Sequence, residues 1–179
     1  METEQMLSYA FEEGFAAAAV VDPAEIEFDS SFRPYCEENL CGQYGVNYSC
    51  PPDCGSPDEM RTRILSHNKA LVLQTIWEIP DLSDGGAIKK AKGAHNAAQI
   101  RLAKRFRSEG CPGFLVGASG CALCSPCAKA QGEPCRFPDY QYSCMSAYCI
   151  FVRKLAEKCE MEYSLPDGLL AFFGMYVFD

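Results

Sequence analysis

The sequence lacks the features that mark membrane proteins and several large enzyme classes. Its 179 residues include only two histidines and one tryptophan, and they contain no Ser-His-Asp set, no P-loop and no Rossmann glycine fingerprint. No apolar run approaches the ~20 residues of a membrane helix, so we expect no membrane association. The first residues carry no basic group, and Glu12 and Glu13 precede the short apolar stretch Phe15–Val21. We therefore expect no signal peptide and a cytoplasmic protein.

Positive charge is scarce except in one segment. The formal net charge is -8, and an acidic protein is not expected to bind nucleic acid. The segment Ile88–Arg107 nevertheless holds several basic residues and no acidic one; they are Lys89, Lys90, Lys92, Arg101, Lys104, Arg105 and Arg107. A solvated helix face is the simpler explanation. The alternative is a surface that docks a redox partner protein or a second copy of the chain.

Cysteine, in contrast, is abundant, with 12 residues. A chain of this length can bury a core without covalent cross-links. In a reducing compartment such thiols bind metals or take part in redox chemistry, whereas in a secreted protein they form disulfides. The cysteines of a cytoplasmic protein therefore predict metal binding.

The best-defined metal motif lies in an irregular loop at about residues 119–138, and we call its four cysteines the second cysteine block. Cys121, Cys124 and Cys127 have the spacing C-x2-C-x2-C, which binds a [4Fe-4S] cluster in bacterial ferredoxins. Cys135 supplies a fourth ligand. Zinc is the alternative, although zinc sites usually use two separate C-x2-C pairs and here the pairs share Cys124. A disulfide knot is the third possibility, and the expected compartment disfavours it.

Two cations accompany the second cysteine block and are candidate cofactor-binding residues. Lys129 and Arg136 flank its ligands. A nearby cation raises the potential of a reduced cluster, because reduction adds negative charge. Two solvated surface charges are the alternative.

A first cysteine block lies in another irregular loop, at about residues 33–56. It consists of Cys36, Cys41, Cys50 and Cys54. Its spacing matches no standard zinc or ferredoxin pattern, but four thiols within one short loop predict a second metal site. Iron–sulfur is favoured over zinc there. The alternative is that only some of these thiols bind metal.

The remaining pattern predicts an α+β domain over residues 1–179, a small sheet with packed helices that carries both loops. We expect helices over 3–18, 56–67, 83–108 and 143–159, and strands over 19–21, 25–28, 69–79, 113–117 and 169–178. His95 falls on the apolar stripe of its helix and is expected to be a core residue. The default role for Cys111, Cys144, Cys149 and Cys159 is that of small buried residues, because none has ligand spacing.

Several blocks of residues resemble the DUF2284 family of predicted metal-binding proteins. They are Gly42 to Pro52, Gly120 to Cys127, Cys135 to Pro138 and Phe173 to Phe178. The resemblance implies a metal cofactor and carries no reaction with it. One stretch departs from the family pattern, which reads like Ser-Met-Glu-Ala-x-Gly-Ile-Asp. Here Ser146, Cys149 and Phe151 replace an acid, a glycine and a second acid, so any role of those acids is in doubt.

Three functions remain open at this point. The leading hypothesis is an iron–sulfur electron-transfer or redox accessory protein that is not itself an enzyme. The second is a reductase or activating enzyme that uses a cluster on a bound substrate or a corrinoid-like cofactor. The third is a zinc-structured interaction module. A large pocket with convergent polar groups beside a cluster would favour the second hypothesis over the first.

Overall fold

The computed structural model describes residues 1–179 and contains five α-helices and a five-stranded sheet. The helices are α1 (Thr3–Glu12), α2 (Arg33–Glu37), α3 (Pro57–Leu65), α4 (Gly85–Ser108) and α5 (Val152–Lys158). The strands are β1 (Ala17–Val21), β2 (Lys69–Glu78), β3 (Gly113–Gly117), β4 (Ser143–Cys144) and β5 (Leu169–Phe178). The predicted α+β class is confirmed. None of the helices is both long and apolar enough to cross a bilayer.

The sheet is mixed, with strand order β1-β2-β5-β3-β4. The long strands β2 and β5 pair antiparallel along their whole length, from Lys69 opposite Phe178 to Glu78 opposite Leu169. At one edge, β3 pairs antiparallel with β5 and parallel with the two-residue strand β4. That parallel pair sets Gly117 opposite Cys144.

Helices cover both faces of the sheet. On β2, Ala70 and Val72 point towards α3 and α5, whereas Leu71 and Leu73 point towards α1 and α4, as the two-residue period of a strand requires. All four side chains are fully buried. Because water reaches neither face, β2 is an almost continuous apolar run instead of an alternating one.

Local signals determine where α3 and α4 begin. The Ser56 hydroxyl accepts a hydrogen bond from the backbone N–H of Glu59 (3.3 Å), and the Glu59 carboxylate accepts one from the backbone N–H of Ser56 (2.8 Å). This reciprocal capping box satisfies two N–H groups that a helix start otherwise leaves unpaired. The Asp84 carboxylate caps α4 by accepting from the backbone N–H of Ala87 (2.9 Å).

His95 lies on the buried face of α4 and is fully buried. Its Nδ1 is 2.8 Å from the hydroxyl oxygen of Thr75, and its Nε2 has no protein partner. Burial lowers the pKa of His95 to about 4, because desolvation penalises the charged imidazole. The residue is therefore a neutral core histidine at neutral pH.

Three of the predicted elements are wrong or shortened. The helix predicted over 143–159 begins only at Val152, because Ser143 and Cys144 pair with β3 and a turn follows with Cys149 at φ 55°. The first helix ends at Glu12, since Gly14 adopts φ 92°. Residues 25–28 form no strand, apart from a single bridge between Phe28 and Ile150.

Gly117 is expected to be essential for the packing of the sheet edge. A Cβ at this position would lie 2.7 Å from the ring of Tyr142 and 3.0 Å from the Asn96 Oδ1. We predict that Gly117→Ala destabilises the protein by about 1–3 kcal/mol through overpacking. Gly93→Ala is the control, because Gly93 lies within α4 with nothing near its would-be Cβ; it should stabilise by about 0.5–1 kcal/mol. Urea unfolding measures both, and equal midpoints would refute the close-packing argument.

Candidate metal centre

The second cysteine block follows β3 directly and is positioned by α4. The Asn96 side chain accepts a hydrogen bond from the backbone N–H of Ala118 (2.9 Å) and donates to the Ser119 hydroxyl (2.8 Å). The chain then passes Gly120 into the C-x2-C-x2-C run. All four thiols, those of Cys121, Cys124, Cys127 and Cys135, are half-buried.

Cys121 lies near enough to Cys124 and Cys135 for their charges to act on its thiol. Burial raises the pKa of its thiol, and the nearby thiols of Cys124 and Cys135 raise it further. The backbone N–H groups of Leu123 and Tyr142 partly oppose this rise because they favour the negative charge of the thiolate. The effect on the pKa of Cys121 indicates that Cys135 lies close to the C-x2-C-x2-C run.

The first cysteine block extends from α2 to the residues just before α3. Cys36 lies on α2, while Cys50 and Cys54 lie one turn apart, with the backbone N–H of Cys54 donating to the Cys50 carbonyl (3.1 Å). Cys50 is buried, Cys36 and Cys54 are half-buried, and Cys41 is exposed. Three of the four thiols therefore face the protein and one faces solvent.

The thiols of the first block raise each other's pKa. Burial raises the pKa of Cys36 to about 11 and that of Cys50 to about 12. The thiols of Cys144 and Cys41 add to both shifts. Because metal ligands must be deprotonated, a metal at this site would have to displace protons that the free thiols hold firmly.

The two cysteine blocks are neighbours in space. The backbone N–H of Cys121 donates to the Ser49 hydroxyl (2.9 Å), and the Asn47 side chain donates to the Cys121 carbonyl (3.0 Å). A Cβ on Gly120 would lie 3.1 Å from the Cys50 sulfur. A third hydrogen bond between the two blocks runs from the Tyr48 hydroxyl to the Glu133 carbonyl (2.9 Å).

Both predicted cations lie at the second block, and both already have partners. Lys129 forms an ion pair with Asp53 at 2.5 Å, which joins the two blocks again. Arg136 donates to Glu133 at 2.7 Å and to the Gln131 side chain at 2.5 Å. The hydrogen bond to Glu133 raises the pKa of Arg136, and the nearby thiols of Cys124 and Cys127 raise it further.

Arg33 is a third cation at the site, and sequence analysis missed it. Its side chain is 8 % exposed, donates to the carbonyls of Gly55 (2.9 Å) and Ala147 (2.8 Å), and has an Nε without a partner. It makes no ion pair with a carboxylate. Burial raises the pKa of Cys36 and Cys54, and the charge of Arg33 partly offsets that rise. A buried cation without a counter-ion is costly, so the site is suited to anionic sulfur.

The donor set as a whole fits a thiolate-bound metal group. It offers the cysteine sulfurs of two neighbouring blocks and a buried guanidinium. No three His, Cys, Asp or Glu side chains converge tightly enough in the structure to hold a single ion.

A shallow cavity of about 250 Å³ lies beside the first block. Its lining residues are mostly apolar and include Phe32, Tyr35, Phe151 and Tyr163. Ser146 and Arg153 supply its only polar side chains apart from the tyrosine hydroxyls. Its volume is below the ~300–1,000 Å³ that is usual for small-molecule sites.

These features define a cysteine-rich α+β protein whose thiols gather at one edge of a mixed sheet. A family described as "Predicted metal-binding protein (DUF2284)" matches residues 19–178, so the chain belongs to that family and is classed with metal-binding proteins. No curated protein and no solved structure matches the chain.

The stability of the protein should depend on Arg33 far more than on Arg136. Arg33→Met leaves the carbonyls of Gly55 and Ala147 without their donor, and buried unpaired groups cost about 1–3 kcal/mol. Arg136→Met removes an exposed ion pair, which is worth roughly 0–1 kcal/mol. Chemical denaturation of the purified variants measures both. Equal losses would show that Arg33 is an ordinary surface-type arginine in solution.

Proposed function

We propose that this protein is an iron–sulfur protein that carries electrons to or from a partner. Its principal cofactor is a [4Fe-4S] cluster bound by Cys121, Cys124, Cys127 and Cys135. The observation that carries this proposal is the C-x2-C-x2-C run, with the thiols of Cys124 and Cys135 near enough to that of Cys121 to raise its pKa further. A cluster at this position would supply one-electron chemistry, because cubanes of this kind cycle between oxidation states.

The overlapping spacing favours iron–sulfur over zinc at this block. A tetrathiolate zinc ion needs four sulfurs about 2.3 Å from one point, whereas each ligand of a cubane binds a separate iron. Zinc sites are commonly made from two independent C-x2-C pairs, and Cys124 belongs to both pairs here. Zinc remains the alternative cofactor.

The first cysteine block is proposed as a second metal site. Cys36, Cys41, Cys50 and Cys54 are its candidate ligands, and their closeness to Cys121 and Gly120 would put two centres side by side. Lys129 and Arg136 are proposed to moderate the charge of the second-block cluster. Their pairing with Asp53 and Glu133 reduces the positive field that each contributes.

An electron-transfer role fits the surroundings of the site better than substrate chemistry does. The cavity beside the first block is small and carries few polar groups, so it resembles a packing defect more than a substrate pocket. All 12 cysteines are free thiols in the structure. A reducing compartment, which we propose to be the cytoplasm, would keep them available for metal.

The basic helix α4 is proposed as the surface that docks a redox partner or a second copy. The structure leaves fewer unpaired cations on α4 than the sequence suggests, because Arg105 pairs with Glu12 (2.6 Å) and Arg101 pairs with Glu13 (2.7 Å). These cations are therefore paired with carboxylates at the end of α1 in the same chain. Lys89 and Lys90 are exposed and form no ion pair, so they remain available to an acidic partner.

Cofactor content tests the iron–sulfur proposal directly. The protein purified without oxygen should contain iron and acid-labile sulfide, and Cys124→Ser should lose most of both, because Cys124 is the shared ligand of the run. Cys159→Ser is the control and should retain both, since Cys159 is a half-buried residue packed against the core. Stoichiometric zinc without sulfide in the wild-type protein would refute the cluster.

Charge reversal tests the docking surface. Lys89→Glu with Lys90→Glu should slow association with a redox partner or a second copy at low salt, and the difference should shrink as salt rises, because exposed charges are screened beyond ~8 Å at physiological ionic strength. Lys154→Glu with Lys158→Glu changes the net charge equally on α5 and serves as the control. Association rates and sedimentation at several salt concentrations measure the effect, and identical rates for both double variants would contradict the assignment.

A further inference from the structure

We infer that the first cysteine block holds Cys121, the first thiol of the second block, in position through the buried side chains of Asn47 and Ser49. Both are positioning residues, since neither offers a sulfur to a metal. The inference rests on the metal site proposed for the second block. It makes that site dependent on the first block, because the two side chains lie between Cys41 and Cys50 in the chain.

Asn47 and Ser49 bind both polar groups of the Cys121 backbone. The Ser49 hydroxyl accepts a hydrogen bond from the backbone N–H of Cys121 (2.9 Å), and the Asn47 side-chain amide donates to the Cys121 carbonyl (3.0 Å). These partners precede Cys121 by 72 and 74 residues in the chain. Because its donor and its acceptor are both held, the backbone of Cys121 has little freedom to rotate, and the direction of its side chain is restricted as well.

Water reaches neither of these two residues. Asn47 is 3 % exposed and Ser49 is 0 % exposed, and buried polar groups are unfavourable unless they are paired. The Ser49 hydroxyl has two partners, the N–H of Cys121 and the Cys50 sulfur, which lies 3.7 Å from the hydroxyl oxygen. Because the N–H can only donate, the hydroxyl proton is left for the sulfur. One oxygen therefore joins a cysteine of each block.

Asn47 also holds the turn that leads into Cys50. Its side-chain oxygen accepts from the backbone N–H of Ser49 (3.0 Å), and its backbone carbonyl accepts from the backbone N–H of Cys50 (3.0 Å). Asn often forms such turns because its side chain can bond to the backbone two residues on. Its side-chain nitrogen then bonds to the Cys121 carbonyl and to the Gln43 side chain (3.1 Å). One side chain thus fixes the backbone of both blocks.

The two blocks are packed too closely for a side chain between them. A Cβ on Gly120 would lie 3.1 Å from the Cys50 sulfur and 3.3 Å from the Ser49 hydroxyl oxygen. Gly120 is not among the glycines with positive φ, so the absence of a side chain serves the close approach and not backbone freedom. A methyl group at this position would push the blocks apart without removing any hydrogen-bonding group.

Holding Cys121 fixes the point from which the C-x2-C-x2-C run begins. Groups that orient a metal ligand without touching the metal typically contribute about 10–100-fold to metal affinity. Without Asn47 and Ser49, the metal itself would have to order this part of the loop, and ordering on binding lowers affinity. We therefore expect metal binding at the second block to weaken when either side chain is removed.

The affinity experiment uses full-length protein that carries Cys41→Ser and Cys54→Ser, so that bound iron reports on the second block. Adding Ser49→Ala or Asn47→Leu should lower the affinity for iron, measured by competition with a chelator, by more than about tenfold. Gln43→Ala is the control, because Gln43 is exposed and its side chain bonds only to Asn47. Equal affinities in the Ser49→Ala and Gln43→Ala proteins would overturn the inference, and so would a background without iron beside a wild-type protein that holds it.

Gly120→Ala tests the same contact by a different route. It should lower the affinity as Ser49→Ala does, whereas Gly85→Ala should not, since nothing lies within 4 Å of a Cβ on Gly85. Urea unfolding of the metal-free proteins separates positioning from general stability. A purely structural role would lower the unfolding midpoint and leave the affinity of the folded protein unchanged, and that result would overturn the inference.

Hydrogen exchange tests the contact without any metal. In the metal-free wild-type protein the backbone N–H of Cys121 should exchange at least about tenfold more slowly than in Ser49→Ala, and Gln43→Ala should match the wild type. Equal rates in wild type and Ser49→Ala would overturn the inference. A wild-type protein that binds neither iron nor zinc would refute the proposed function, and the exchange rates would then decide by themselves whether the first block holds Cys121.

Discussion

The parallel pairing of β3 with β4 at the sheet edge is the interaction on which the arrangement of the cysteines depends. The backbone N–H of Met145 donates to the Gly117 carbonyl (3.0 Å), and this bond holds the 142–149 segment against the start of the second cysteine block. The ring of Tyr142 lies where a side chain on Gly117 would be, and its hydroxyl accepts from the backbone N–H of Ala122 (3.3 Å). Because β3 is held by β5 on its other side, the thiol region is built on the rigid part of the molecule.

Desolvation sets the chemistry of this region. Burial raises the pKa of Cys36, Cys50 and Cys144, so the free thiols are protonated at neutral pH, and metal binding must release protons. The same burial makes Arg33 an unfavourable isolated cation. A buried thiolate or a buried guanidinium is unfavourable when it is alone. If the thiolates bound a metal, their negative charge and the positive charge of Arg33 would offset each other. Lys129 and Arg136 contribute less positive charge to the thiol region, since Asp53 and Glu133 already form ion pairs with them.

Local sequence signals predicted the helices and strands well wherever tertiary contacts did not act against them. Ser56 with Pro57 and Glu59 marked the start of α3 because a capping box needs only residues within one turn. The apolar runs of β2 and β5 marked the two central strands. The prediction that a helix begins at Ser143 is wrong, and the reason is tertiary packing. Met145, Ala147 and Tyr148 have helix-like apolar spacing, but they are buried in a turn whose shape is set by pairing with β3 and by the donors of Arg33.

The sequence by itself determined the fold class, the metal-binding family and the spacing of the second cysteine block, because each depends on residues that are close in the chain. Contacts between distant parts of the chain decide which side chains are neighbours of the two cysteine blocks. Strand pairing sets Cys144 opposite Gly117, Arg33 is buried between the carbonyls of Gly55 and Ala147, and Arg101 and Arg105 pair with Glu13 and Glu12. These relations join residues far apart in the chain, and no local pattern of residue types specifies such contacts.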